Sequence, residues 1–420
     1  MASILFYVPI PLPDRRNYIP FHQGAAQLAA VLQRHGHSVH LRLPWALSAH
    51  KVKEDIERLR PDTLFLSLAS TQARALRPIA QAALHYSVPL LVGGPHATFA
   101  PHEVLSVQGV TAICRGEGEQ VVLAFLQGRD NFPGLVRPGE PLSMARPVDL
   151  SRIPLPDRRL FATCPDFVLQ RTLVGHEFMT SRGCPFRCSY CTNAALCDSP
   201  GAPRVRRRDP ETVVREVGEA LSIDPDVSIL GFHDDVFTLD LSYLERFCSL
   251  FRERIARPFW VNAHPEVLDR RRVELLAQAG CRRIHMGVET GSEELRYSVL
   301  NRAVSDETIL RAGALIKRAG IRLVTFVMLG IPGESEATYA QTVNLLRKLR
   351  PDWIIQSYFQ PLPGTPLGEQ VRSKLPVTSW EELLPESFYD EPVRSWADGL
   401  SAGRLVEMGR RLIENVYSDM

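Results

Sequence analysis

The sequence predicts an α/β protein of two domains: an N-terminal doubly wound parallel sheet, then a partial (β/α)6 barrel. Three observations carry this. Apolar runs of strand length alternate with amphipathic, helix-spaced segments in two separate regions of the chain. A stretch rich in proline and arginine, 129–170, lies between those regions. The chain has 420 residues, 45% apolar and 23% charged, which suits two ordinary globular domains.

In the first region SILFYVPI (3–10) reads as a buried strand, GAAQLAAVLQRHG (24–36) as a helix stopped at Gly36, and SVHLRL (38–43) as the next strand. KVKEDIERLR (51–60) is an amphipathic helix, DTLFLSL (62–68) a strand, ALRPIAQAALHYS (75–87) a helix and PLLVGG (89–94) a strand. TAICRG (111–116) is a short strand, with a helix from Glu119 to about Gln127. Ligands of such a sheet sit at the carboxyl ends of its strands, so the loops after Ile10, Leu68, Gly94 and Gly116 are the ones to watch.

In the second region strands are expected at 174–181, 227–232, 258–263, 282–288, 321–329 and 352–359, with helices between them such as PETVVREVGEAL and EATYAQTVNLLRKLR. Six such units fall two short of a full TIM-type barrel. RLVEMGRRLIENVY (404–417) reads as a last helix. The expected division is 1–130, a linker over 131–170, the barrel over 171–375 and a helical extension over 376–420.

The formal net charge of +2 speaks against a large nucleic-acid footprint or an acidic tail. RVRRRD (204–209) directly precedes a helix start and reads as a solvated barrel loop. No apolar run approaches membrane-spanning length, and MASILFYVPI reads as a first strand rather than a signal peptide. A cytoplasmic protein with reduced thiols, with neither nucleic acid nor membrane as partner, is the expectation.

TSRGCPFRCSYCTNA (180–194) places Cys184, Cys188 and Cys191 as C-x-x-x-C-x-x-C after the first barrel strand. A structural zinc site takes four ligands, often as two separated pairs, and no second pair exists here. Three thiolates suit three corners of a 4Fe–4S cube, with the fourth iron left free. Cys197 is discounted as a fourth ligand. Cys114, Cys248 and Cys281 lie in apolar runs and read as small buried hydrophobes.

This region, 174–370, resembles the radical S-adenosylmethionine (SAM) superfamily. The resemblance implies that the free iron binds the amino and carboxylate groups of SAM, and that one electron splits the sulfonium to give a 5′-deoxyadenosyl radical. It puts Tyr190 near adenine. In GFHDDVF (231–237) it gives Asp234 or Asp235 the methionine ammonium, with Asp234 preferred. In MGVETGSEEL (286–295) it makes Glu289 and Ser292 candidates for ribose and carboxylate, and in GIPGE (330–334) it makes the turn at Ile331 the adenine support. YFQPLPGTPL (358–367) resembles the closing segment. Each motif also has an ordinary reading as solvated loop, helix start or turn.

LSLAST (66–71), LLVGGPHATFAPHEVL (90–105) and CRGEGEQ (114–120) resemble the flavodoxin-like cobalamin-binding domain often fused before such a barrel. Ser67, Ser70 and Thr71 offer hydroxyls, and Gly93, Gly94 and Gly116 let backbone approach a corrin closely. His96 and Glu117 belong to the same motifs. The D-x-H-x-x-G cobalt-ligating motif is absent. YIPFHQG (18–24) occupies roughly its place, so His22, followed by Gly24, is either a cobalt ligand without its orienting Asp or a loop histidine.

The resemblance implies a cobalamin-dependent radical SAM enzyme whose cofactors are a 4Fe–4S cluster, SAM and cobalamin. Methylation of an unactivated carbon, with a second SAM supplying the methyl group by way of cobalamin, is the favoured outcome. Radical cyclisation or rearrangement, and a non-catalytic cobalamin or metal module, are the alternatives. The expected partners are a small-molecule or peptide substrate and an external electron donor such as flavodoxin or ferredoxin.

Overall fold

A computed structural model describes residues 1–10, 21–44, 47–163, 176–196, 204–385, 392 and 394–418. Residues 18–20 of the His22 loop, 171–175 of the expected barrel start, and Cys197 lie outside the described residues.

Strands β1 (Ser3–Tyr7), β2 (Ser38–Arg42), β3 (Thr63–Ser67), β4 (Leu90–Gly93) and β5 (Ala112–Cys114) are parallel, in the order β2-β1-β3-β4-β5. The order reverses at β1, so a crevice opens beyond the strand ends there. Helices cover both faces, which is why the strands are apolar throughout. Phe6, Phe65 and Leu91 pack to one side, and Leu5, Leu64 and Val92 to the other.

The proline-rich stretch does more than connect. β6 (Leu135–Val136) adds antiparallel to β5, and Ala145 and Phe161 enter the core beneath the Gln23–Arg34 helix. Asp157 N donates to Ala26 O at 2.9 Å, and Gln27 Nε2 to Pro154 O at 2.7 Å. Apolar residues spaced between the prolines give this stretch enough to bury, so residues up to 163 lie against the first domain.

Strands β7 (Glu177–Phe178), β10 (Leu230–Phe232), β11 (Phe259–Ala263), β12 (Cys281–Glu289), β13 (Arg322–Leu329) and β14 (Trp353–Tyr358) form a parallel six-stranded sheet in that order. The intervening helices begin on Asp209, Asp240, Asp269, Ser305 and Ser335, whose side chains accept first-turn amides; each cap contributes about 1 kcal/mol. Phe178, Phe232, Phe247, Phe251 and Phe259 pack between sheet and helices and fix the start of the barrel. A short antiparallel ribbon of β8 (Ser181–Arg182) and β9 (Arg206–Arg207) stands above β7, and its connection carries the three cysteines.

The helix Ala402–Tyr417 returns onto the barrel through Leu405, Met408 and Leu412. Trp380, Leu383 and Leu384 pack against Ala100, and Trp380 N donates to Glu103 at 3.0 Å, tying the end of the barrel to the first domain. Among the described residues no helix is long and apolar enough to cross a membrane.

Candidate functional site

The cysteine loop is anchored at its root by Asp234. This carboxylate is wholly buried at the end of β10 and accepts from Thr180 N at 3.0 Å, from Thr180 Oγ1 at 2.7 Å and from Ser181 Oγ. The preferred ammonium ligand is therefore occupied in holding the loop. Asp235, its neighbour, lines the central cavity, accepts from Asn193 Nδ2 at 2.6 Å and acts electrostatically on Cys184 and Cys191. Burial, aided by the charge of Asp234, pushes its carboxyl up to about 6. Of the two carboxylates, Asp235 and not Asp234 faces the cavity.

Cys188 is buried, and Cys184 and Cys191 are half-buried. Burial pushes the Cys184 thiol up to about 12 and that of Cys191 up to about 11, and the neighbouring thiols add to both shifts. Thiols kept protonated in this way suit cationic iron, which takes a cysteine as thiolate. Among the described residues no three His, Cys, Asp or Glu side chains gather as they would round a single metal ion. A cube asks instead for one thiolate at each of three corners.

Residues 299–302 hold the outer side of this loop, a role the sequence motifs did not suggest. Ser189 N donates to Leu300 O at 2.9 Å and Ser189 Oγ to Val299 O at 2.5 Å. Asn301 Nδ2 donates to Arg187 O at 2.7 Å. Phe186 stacks on His264 with ring centroids 3.7 Å apart.

Tyr190 packs with Leu300, Met328, Ile331 and Phe359, so the two residues expected near adenine share one apolar cluster. The turn at Ile331 is held by Glu334, which accepts from Gly330 N, and burial pushes the Glu334 carboxyl up to about 7. Glu289 ends β12 in the left-handed region, φ 66°, with Tyr190 and Arg302 as partners; burial raises its carboxyl in spite of both. Ser292 takes the ordinary reading of its motif as a helix start: it is buried and caps the Glu293–Ser298 helix, accepting from Leu295 N at 3.4 Å.

A cavity of about 520 Å³ runs from the strand ends of the first domain to Gly183, Asn193 and Asp235 beside the cysteines. That lies within the roughly 300–1,000 Å³ of ordinary small-molecule pockets. His22, Gly24, Ser67, Gly93, Gly94, Gly116 and Glu117 line it, and it continues between sheet and helices as a slot lined by Phe6, Leu28, Phe65, Leu91 and Val122. The glycine-lined mouth lets a flat corrin face approach backbone, and the apolar slot suits an extended tail.

Ser70, Thr71 and His96 do not line the cavity. His96 turns behind β4, its Nδ1 3.2 Å from Ser70 Oγ, because Gly94 (φ 90°) packs against the backbone of Leu68 and sends the following helix backward. Thr98, which was not singled out from the motif, does line the cavity. Its Oγ1 accepts from Gly116 N at 3.1 Å and donates to Gly94 O at 2.9 Å, joining the two glycine loops.

His22 has both ring nitrogens engaged. Its Nδ1 accepts from Ala25 N at 3.0 Å, capping the first helix, and burial pushes the imidazole down to about 4. A neutral ring that accepts at Nδ1 carries its proton on Nε2. That proton faces Ser67 Oγ at 3.4 Å. Such a nitrogen has no lone pair for cobalt, so the loop-histidine alternative fits.

Glu117 forms part of an inter-domain clamp. It pairs with Arg206 and, at 3.3 Å, with Arg182, while Glu119 pairs with Arg182 at 2.5 Å. Burial would raise the Glu117 carboxyl, but the hydrogen bond from Arg206 and the charge of Arg182 hold it below the usual range. Arg182 lies two residues before Cys184, so the clamp joins the first domain directly to the cysteine loop.

Residues 178–346 match the family model for the radical SAM superfamily, and residues 15–126 match the B12 binding domain. An uncharacterised methyltransferase of Pyrococcus horikoshii is 24% identical over 365 residues, covering 82% of this chain and 77% of the relative. The anaerobic magnesium-protoporphyrin IX monomethyl ester cyclase of Rubrivivax gelatinosus is 27% identical over 368 residues, covering 80% of this chain and 63% of the cyclase. The fold is similar to that of the radical SAM methyltransferase TsrM from Kitasatospora setae (TM-score 0.68, 19% identity, 88% of this chain and 76% of that one). It is also similar to that of the cobalamin-dependent SAM radical enzyme OxsB (TM-score 0.69, 16% identity, 98% and 61%). The chain thus carries a B12-binding domain ahead of a radical SAM domain: it is an enzyme whose cofactors are a 4Fe–4S cluster, SAM and cobalamin.

Proposed function

We propose that this enzyme methylates an unactivated carbon of a small biosynthetic intermediate. The observation that supports this best is the single cavity reaching from Ser67 and Gly93 to Gly183 and Asp235, which lets the two cofactor sites open onto each other. In this reading Cys184, Cys188 and Cys191 hold the cluster, and Tyr190 and Ile331 flank adenine. Asp235 takes the SAM ammonium and Glu289 the ribose hydroxyls. When bound, the cluster supplies the electron that splits SAM and cobalamin carries the methyl group.

The residues of this chain bind, orient and exclude water. A carboxylate with a pKa near 6 is mostly ionised at pH 7, and an ammonium beside it completes the charge balance. The Glu117–Arg182 clamp keeps the first domain in register with the cysteine loop, which fixes the distance between the reacting groups. The apolar cluster around Tyr190 keeps water from the adenine side. An external flavodoxin or ferredoxin would deliver the electron.

The relative from Pyrococcus horikoshii and the TsrM likeness favour methyl transfer. The cyclase relative favours a second reading, radical cyclisation with the same cofactors. The products separate them. Methyl transfer yields S-adenosylhomocysteine alongside 5′-deoxyadenosine under strong reductant with candidate substrates. Deoxyadenosine without S-adenosylhomocysteine, at a substrate that is turned over, would favour cyclisation.

A further inference from the structure

We propose that Arg302 is a positioning residue that sets the reduction potential of the cluster through Cys188, an inference that rests on Cys184, Cys188 and Cys191 holding it. Arg302 is buried at the end of the segment that buttresses the cysteine loop, 6% exposed. Its Nη1 lies 3.8 Å from Cys188 Sγ, and its Nη2 donates to Gly287 O at 2.8 Å. Its Nε is buried without a hydrogen-bond partner. Gly287 leaves the space that Glu289 and Arg302 occupy: a Cβ there would meet Glu289 Oε1 and, at 3.0 Å, Arg302 Nη2, so both side-chain ends would have to shift. Asn301, in the left-handed region at φ 46° and tied to Arg187 O, turns the chain so that Arg302 points at the thiol.

The charge arithmetic gives the direction. A 4Fe–4S core of charge 2+ with three thiolates carries a net −1, and adding one electron makes it −2, with no proton involved. A fixed, desolvated cation beside one thiolate stabilises the more negative form, and a hydrogen bond to sulfur acts in the same direction. Glu289 opposes this only in part. It is shared with Tyr190, and burial raises its carboxyl. Arg302 therefore raises the potential and makes the cluster easier to reduce.

The test is a reductive titration followed by electron paramagnetic resonance, with the reconstituted full chain and without SAM, on the parent, Arg302→Gln and Arg302→Lys. In R302Q at full iron and sulfide content, the equilibrium constant for reduction should fall at least tenfold, which is about 59 mV for one electron. R302K should recover at least half of that shift. A fully loaded R302Q whose potential stays within about 15 mV of the parent, a change of less than twofold, would overturn the proposal. It would do so without touching the cluster assignment, which the iron content reports separately. A SAM affinity that falls while the potential stays put would mean that Arg302 serves SAM instead. If R302Q takes up no cluster, loading decides: a loaded R302K supports a need for charge at this position, and an equally empty R302K contradicts it.

Discussion

Replacing His22 with alanine separates a structural histidine from a cobalt ligand, and the structure fixes the size of the effect at two pH values. At pH 7.5 the variant loses a helix cap, about 1 kcal/mol, or a fall in Tm of roughly 2–4 °C for a domain of this size. The imidazole is pushed down to about 4 by burial. The folded state therefore holds fewer protons than the unfolded state between pH 4 and 6.5. The stability linked to this shift is fully present above pH 6.5 and is lost as pH falls towards 4. By pH 5 about 2 kcal/mol of it is gone. That exceeds the cap, so H22A should be less stable than the parent at pH 7.5 and more stable at pH 5. Thermal unfolding of the cobalamin-free chain at the two pH values reads this, and the visible spectrum of the cobalamin-loaded chain should be the same in both proteins. An equal loss of stability at both pH values, or a spectrum that changes when His22 is removed, would refute the reasoning.

Other consequences follow from the same contacts. Asp234→Ala leaves Thr180 and Ser181 donors buried without their acceptor, so iron and sulfide content after reconstitution should drop. Asp235→Asn should keep its cluster and bind SAM at least tenfold more weakly, since a charge-assisted bond is worth about 1.5–3 kcal/mol. Identical behaviour of the two would contradict their separate roles. The double variant Glu117→Gln, Glu119→Gln takes the carboxylate charges from Arg182 and Arg206, and roughly 1–3 kcal/mol of stability should go. Calorimetry should show the loss, cobalamin affinity should fall with it, and cluster content should stay unchanged.

The cysteine spacing and the alternation of strands and helices were legible in the sequence because each rests on local pattern. What the sequence could not resolve is which way a side chain turns at a strand end. Asp234 and Asp235 are chemically identical neighbours, and only the position of Thr180 across the sheet shows which one anchors the cysteine loop. Ser67 and His96 both belong to glycine-flanked motifs, yet the close packing of Gly94 on Leu68 sends His96 behind the sheet while Ser67 lines the cavity. Arg302 and the clamp at Glu117 depend on residues far apart in the chain. A lone arginine or glutamate carries no local signal of such a partner. The proline-rich stretch reads as a linker ordered against one domain or the other; proline marks irregular backbone, and only the burial of Ala145 and Phe161 between the prolines decides that it packs on the first domain.

The measurement that tests the central claim most directly is anaerobic. The chain is reconstituted with iron, sulfide and cobalamin, given SAM and a strong reductant, and assayed for 5′-deoxyadenosine beside a variant with Cys184, Cys188 and Cys191 changed to alanine. The account predicts deoxyadenosine from the parent, none from the variant, and cobalamin retained by both through gel filtration. A fully assembled cluster that binds SAM yet yields no deoxyadenosine with any candidate substrate, or a parent chain that holds no cobalamin, would contradict it.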